Sequence, residues 1–200
     1  DFWLLKLNDT GIEIWEKTFT GFNGGNGTEW AWGMDETSDG GFVLIGNTNA
    51  TENNSDDIYV VKTDSDGNLE WNKIYSSEHT DNGYSIKQTN DGGYILAGMT
   101  GQNNDDGWII KVDSEGTVEW DETHGGSSHD LFRSVSITND NGYIISGSTS
   151  SYGNGDSDAW LVRYEGDGTV ATYTGPTWHV SISGSDLNDG SEESPFATIQ

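Results

Sequence analysis

Two hundred residues with 34 acids against 8 bases carry a formal net charge of −26, a balance that repels phosphate backbones and anionic lipid and argues against nucleic-acid or membrane-surface binding. There is no cysteine, which removes disulfides, thiol catalysis and cysteine-based zinc sites, and no apolar run long enough to span a bilayer. Twenty-eight glycines, 2 prolines and 12% aromatic residues suit many short strands joined by tight turns, and nine tryptophans argue against a disordered chain.

The first element, DFWLLKL, already reads as a strand, so the chain is expected to begin in mid-domain. It opens the segment DFWLLKLNDTGIEIW, which returns without gaps as DIYVVKTDSDGNLEW, DGWIIKVDSEGTVEW and DAWLVRYEGDGTVAT. The columns held in phase are Asp1, Asp57, Asp106, Asp158; Lys6, Lys62, Lys111, Arg163; Gly11, Gly67, Gly116, Gly168; and Trp15, Trp71, Trp120. Next in the chain, GTEWAWG places Trp30 and Trp32 beside a strand. Trp30 aligns with Asn82 and Leu131 and so breaks the repeat, as a ring contacting a glycan or one filling a local gap would.

A second block follows, ETSDGGFVLIGNT, and recurs as QTNDGGYILAGMT and ITNDNGYIISGST, with a period of about 50 residues that suits propeller blades. Each period holds four strand-like runs, in one copy SVSITN, GYIISGST, DAWLVRY and TVATY. The DG or NG between the first two predicts a type I′ hairpin turn, and DSDGN or DSEGT between the last two a longer glycine-bearing one. GYILAG and GWIIKV are apolar on both faces, as strands packed between neighbouring sheets should be, whereas VEW alternates with acids like an outer strand. The aligned bases are placed to pair between blades.

Oxygen-rich loops precede the Asp column: Asn53, Asn54, Asp56 and Asp57; then Asn103, Asn104, Asp105 and Asp106; then Asn154, Asp156 and Asp158. Such loops either cap turns through their own backbone amides or bind calcium, the latter making Asp56, Asp57, Asp105, Asp106, Asp156 and Asp158 candidate ligands. Asp64-Ser65-Asp66-Gly67-Asn68 matches the start of a calcium-binding EF loop but lacks its closing glutamate. The THGGSSHD loop, with His124 and His129, has no strained nucleophile elbow and occupies an ordinary repeat position. Trp108 and Trp120 read as packing between sheets.

These repeats resemble the tandem "DGGYILAGxT…DxWLVKxDxxGxxxW" units of bacterial and archaeal surface proteins. The resemblance implies an incomplete β-propeller of about three and a half four-stranded antiparallel blades over residues 1–173, an extracellular or cell-surface location, and a scaffolding or binding role without transferable catalytic residues. Residues 174–200 contain TWHVSISGSDLNDGSEESPFATIQ, which resembles the opening of right-handed parallel β-helix domains of the pectate-lyase-like kind. That resemblance implies a first strand at Trp178–Ser183 and a capping helix starting at Ser194 and Pro195, with both ends of the chain cut within domains. The expectation is therefore an all-β, non-catalytic extracellular module for adhesion or ligand binding, its partners glycans or other surface proteins. The alternative is the accessory propeller of a polysaccharide lyase or hydrolase whose catalytic β-helix lies beyond Gln200.

Overall fold

In the computed structural model, residues 1–21, 27–51, 55–77, 79–101, 104–153, 156–166 and 168–170 are described. They form thirteen strands and, among the described residues, no helix. β1 (Phe2–Leu7) and β2 (Glu13–Phe19) make a two-stranded sheet. β3 (Glu29–Glu36), β4 (Phe42–Thr48), β5 (Asp57–Thr63) and β6 (Leu69–Tyr75) make a second. β7 (Asp81–Gln88), β8 (Tyr94–Thr100), β9 (Asp106–Val112) and β10 (Val118–His124) make a third. β11 (Asp130–Ile137), β12 (Tyr143–Thr149) and β13 (Asp158–Tyr164) make the fourth. Every pairing is antiparallel between chain neighbours, so the molecule is all-β with one sheet per sequence period. The run expected at 169–173 meets β13 through a Tyr164–Val170 bridge, and its remainder lies outside the described residues, as do Asn53, Asn54, Asn103, Asn154 and the whole segment 174–200.

Apolar residues on both faces of the middle strands let each sheet pack against two neighbours. Val43, Ile45, Ile58 and Val60 of the second sheet meet Ile86, Tyr94, Leu96, Trp108 and Ile110 of the third. The residues between them, Leu44, Tyr59 and Val61, turn the other way and meet Phe2, Leu4 and Phe19 of the first. Ile95, Ala97 and Ile109 meet Phe132, Val135, Tyr143, Ile145 and Tyr164 of the fourth sheet. The outer strands β6 and β10 are mostly exposed or half-buried, as their alternation with acids requires.

The repeat columns meet across these junctions. Trp15 packs edge-on to Phe42 at 6.0 Å, Trp71 to Tyr94 at 5.7 Å, and Trp120 lies against Tyr143 at 6.2 Å. Each indole also covers the turn glycine of the next sheet. A Cβ on Gly67 would lie 2.8 Å from Trp15, on Gly116 3.1 Å from Trp71, and on Gly168 2.7 Å from Trp120. These glycines have φ of 75°, 76° and 86°, so both the backbone and the covering ring require them.

Three expectations change. The β3–β4, β7–β8 and β11–β12 hairpins are not type I′ turns. Positive φ is confined to Gly40, Gly92 and Asn141, each the fourth residue of a turn closed by hydrogen bonds to Thr37, Thr89 and Thr138. This is a type I turn whose fourth residue is left-handed, the three-residue hairpin loop that is the common alternative. The base column largely clamps its own sheet rather than bridging sheets. Buried Lys62 Nζ donates to Asp39 Oδ2 at 2.9 Å, Glu70 Oε2 at 2.5 Å and Thr63 O at 2.8 Å. Lys111 reaches Asp91 and Glu119, and Arg163 reaches Asp140 and Glu165 in the same way, while Lys6 does cross, to Ser65 O. Finally, β11 begins at Asp130, four residues before the expected run SVSITN, because the strand continues through a bulge.

Candidate functional site

That bulge recurs in the first strand of every complete period. The register slips between Ala31 and Gly33 in β3, between Gly83 and Ser85 in β7, and between Phe132 and Ser134 in β11. The skipped residues are Trp32, Tyr84 and Arg133. The opposite strand is shaped to allow this. A Cβ on Gly46 would lie 1.7 Å from Trp30 O, on Gly98 2.0 Å from Asn82 O, and on Gly147 1.9 Å from Leu131 O. Any side chain there would push the bulged strand away, which accounts for this fixed glycine column. Bulges re-aim a side chain out of the ladder, and here three of them do so at the same level.

β3, β7 and β11 lie side by side, so the three re-aimed groups form a row. The Trp32 and Tyr84 rings meet edge to face at 6.2 Å and 63°. The Arg133 guanidinium sits over the Tyr84 ring at 4.2 Å. Trp32 Nε1 donates to Asn47 Oδ1 at 3.0 Å, and Asn47 Nδ2 donates to Asn82 Oδ1 at 2.6 Å, which orients the ring and links two sheets. Trp32 is 56% exposed and Trp30 42%, with Met34 also exposed along β3. Burial pushes the Tyr84 hydroxyl above its ordinary value, against the pull of Arg133. The row thus presents the exposed Trp32 indole, the half-buried Tyr84 ring and the exposed Arg133 guanidinium, with the Asn47 amide buried, and no nucleophile or acid–base pair within it. Sequence reasoning found Trp30 as a repeat-breaking ring and named Trp32 beside it, but missed Tyr84 and Arg133. The available signal was the column one residue after those facing Gly46, Gly98 and Gly147, where residue type varies.

The six candidate calcium aspartates divide. Asp57 and Asp106 are buried. Asp56 and Asp105 use their carbonyls to accept from the amides of Asp81 and Asp130, at 2.6 Å and 2.7 Å, pinning the next sheet. The Asp105 carboxylate pairs with His129 Nδ1 at 2.5 Å. Asp156 is exposed and Asp158 half-buried. Among the described residues no three His, Cys, Asp or Glu side chains converge as a metal-ligand group. Capping is carried elsewhere: Asp64 Oδ1 accepts from the amides of Asp66 and Asn68, and Asp113 from those of Glu115 and Thr117, so the DSDGN loop is an Asx-type turn. His124 lies beside Glu122 and the rings of Phe132, Trp160 and Tyr164. Trp108 and Trp120 pack in the inter-sheet cores.

No protein-family model and no curated protein matches the chain. Among solved structures it is similar to one titled as a protein of unknown function from Bacteroides caccae. The TM-score is 0.51 with 13% identity, over 82% of this chain and 50% of that one. The chain spans about half the length of that protein. At this identity the likeness shows a shared all-β fold alone.

Proposed function

We propose that this chain is a run of β-propeller blades from an extracellular or cell-surface protein, acting as a non-catalytic module that binds a glycan. The blade reading is supported by sheets stacked in chain order, with β3, β7 and β11 adjacent on one side and β6 and β10 exposed. The observation that carries the binding reading is the Trp32–Tyr84–Arg133 row, one group per sheet at one level. Pyranose rings present flat C–H faces that pack on aromatic rings, and the guanidinium adds a forked donor for ring hydroxyls or a sugar carboxylate. Binding would be tested by glycan array followed by calorimetry on Trp32→Ala, Tyr84→Ala and Arg133→Ala. Each should weaken the selected glycan at least about tenfold, or ~1.4 kcal/mol. Wild-type affinity in all three variants, or no glycan bound by the parent chain, defeats the reading.

The 178–200 segment favours a second reading on sequence resemblance, in which the blades position a polysaccharide for a following catalytic β-helix. In that case Trp32→Ala in the parent protein would slow cleavage of polymer but leave short oligosaccharides unaffected.

A further inference from the structure

We propose that a divalent cation, calcium by its donor set, binds at each of two sheet junctions, between Asp57 and Asp81 and between Asp106 and Asp130. Asp57 is the first residue of β5 and 1% exposed; Asp106 holds the same place in β9 and is 7% exposed. In both, Oδ1 is buried and has no hydrogen-bond partner. The facing acid comes from the next sheet, as the first residue of its inner strand: Asp81 of β7 and Asp130 of β11, both 0% exposed. The orphaned oxygen thus occurs twice, one period apart, at the same atom.

The facing acids are held in place by hydroxyl and amide donors. Asp81 accepts from Ser77 N at 2.6 Å, Ser77 Oγ at 2.7 Å and the Thr100 hydroxyl; Asp130 accepts from Gly126 N at 2.8 Å, Ser151 Oγ at 2.5 Å, Ser151 N at 3.4 Å and the Thr149 hydroxyl. At the second junction Gly125 keeps a space open between the pair. A Cβ there would lie 1.9 Å from Asp106 Oδ1 and 2.9 Å from Asp130 Oδ2. Two ionised carboxylates buried beside each other require a compensating positive charge or a proton. Among the described residues no Lys or Arg pairs with any of the four. Carboxylate oxygens without thiolate suit a hard cation, with water completing the shell beyond the two carboxylates.

The test is calcium titration of the chelator-stripped full chain by calorimetry, with terbium luminescence sensitised by Trp108 as a readout that needs no variant. The expected result is two ions per chain, a thermal midpoint raised by several degrees over the chelated protein, and loss of both in Asp57→Asn with Asp106→Asn. The control Asp9→Asn with Asp66→Asn, which removes two exposed acids, should keep both ions. Identical midpoints in calcium and chelator, absent terbium emission, or equal loss in the control would overturn the proposal, the last showing only diffuse attraction to an acidic surface. None of these outcomes depends on whether Trp32 binds glycan.

Discussion

β9 and β13 are near copies in sequence, DGWIIKV and DAWLVRY, yet all seven residues of β9 are buried while Leu161 in β13 is 66% exposed. β9 lies between the second and fourth sheets and sends Trp108 and Ile110 to one core and Ile109 to the other. β13 contributes Tyr164 and part of Trp160 and Val162 to a single core. The same contrast divides Lys111, 3% exposed between Asp91 and Glu119, from Arg163, 39% exposed between Asp140 and Glu165. An identical strand pattern is therefore worth very different amounts of stability according to whether a sheet covers one face or two.

Substituting the matched pair Ile109 and Leu161 should expose this difference most sharply. Ile109→Ala opens a cavity in an inter-sheet core and is expected to cost about 2–5 kcal/mol, against within ~0.5 kcal/mol for Leu161→Ala, both read by urea unfolding. Equal losses would mean that the two strands are equivalently packed in solution.

Next in size, Gly98→Ala should cost about 1–3 kcal/mol, since its Cβ would strike Asn82 O. It should also flatten the β7 bulge, withdraw Tyr84 from the row and weaken glycan binding. Gly92→Ala, which meets no atom within 4 Å but has φ of 88°, should cost less and leave binding intact.

The smallest effects concern pH. Asp91 is held down to about 2: burial works against this, but the bonds from Thr89, Gly93 and Lys111 prevail. Its stabilisation is present above the unfolded value of ~3.9 and is lost as pH falls through about 2, so Asp91→Asn should flatten the acid limb of an unfolding profile. Asp106 is held up, by burial and then by Asp130 and Asp105, so in chelator its contribution has the opposite sign. Stability there falls as pH rises through the raised value, and Asp106→Asn should remove that slope. Asp91 is largely exposed, which keeps the first change modest.

Sequence by itself determined the strands, their order and the sheet period, because alternation, two-faced apolar runs and turn glycines are local signals. It also marked the packing tryptophans, since Trp15, Trp71 and Trp120 recur wherever Phe42, Tyr94 and Tyr143 do. Trp30 was legible as a departure from the repeat, with Trp32 named beside it. Only the tertiary structure decided the rest. Bulges in β3, β7 and β11 brought Trp32, Tyr84 and Arg133 into one row, although 101 positions separate the ends of that row in the chain. Packing of one sheet on the next likewise split the aspartate clusters, burying Asp57 and Asp106 and leaving Asp56 and Asp105 to hold the backbone of the next sheet. A side chain's partner across a sheet junction is fixed by how two sheets stack, and no window along a single strand contains that information.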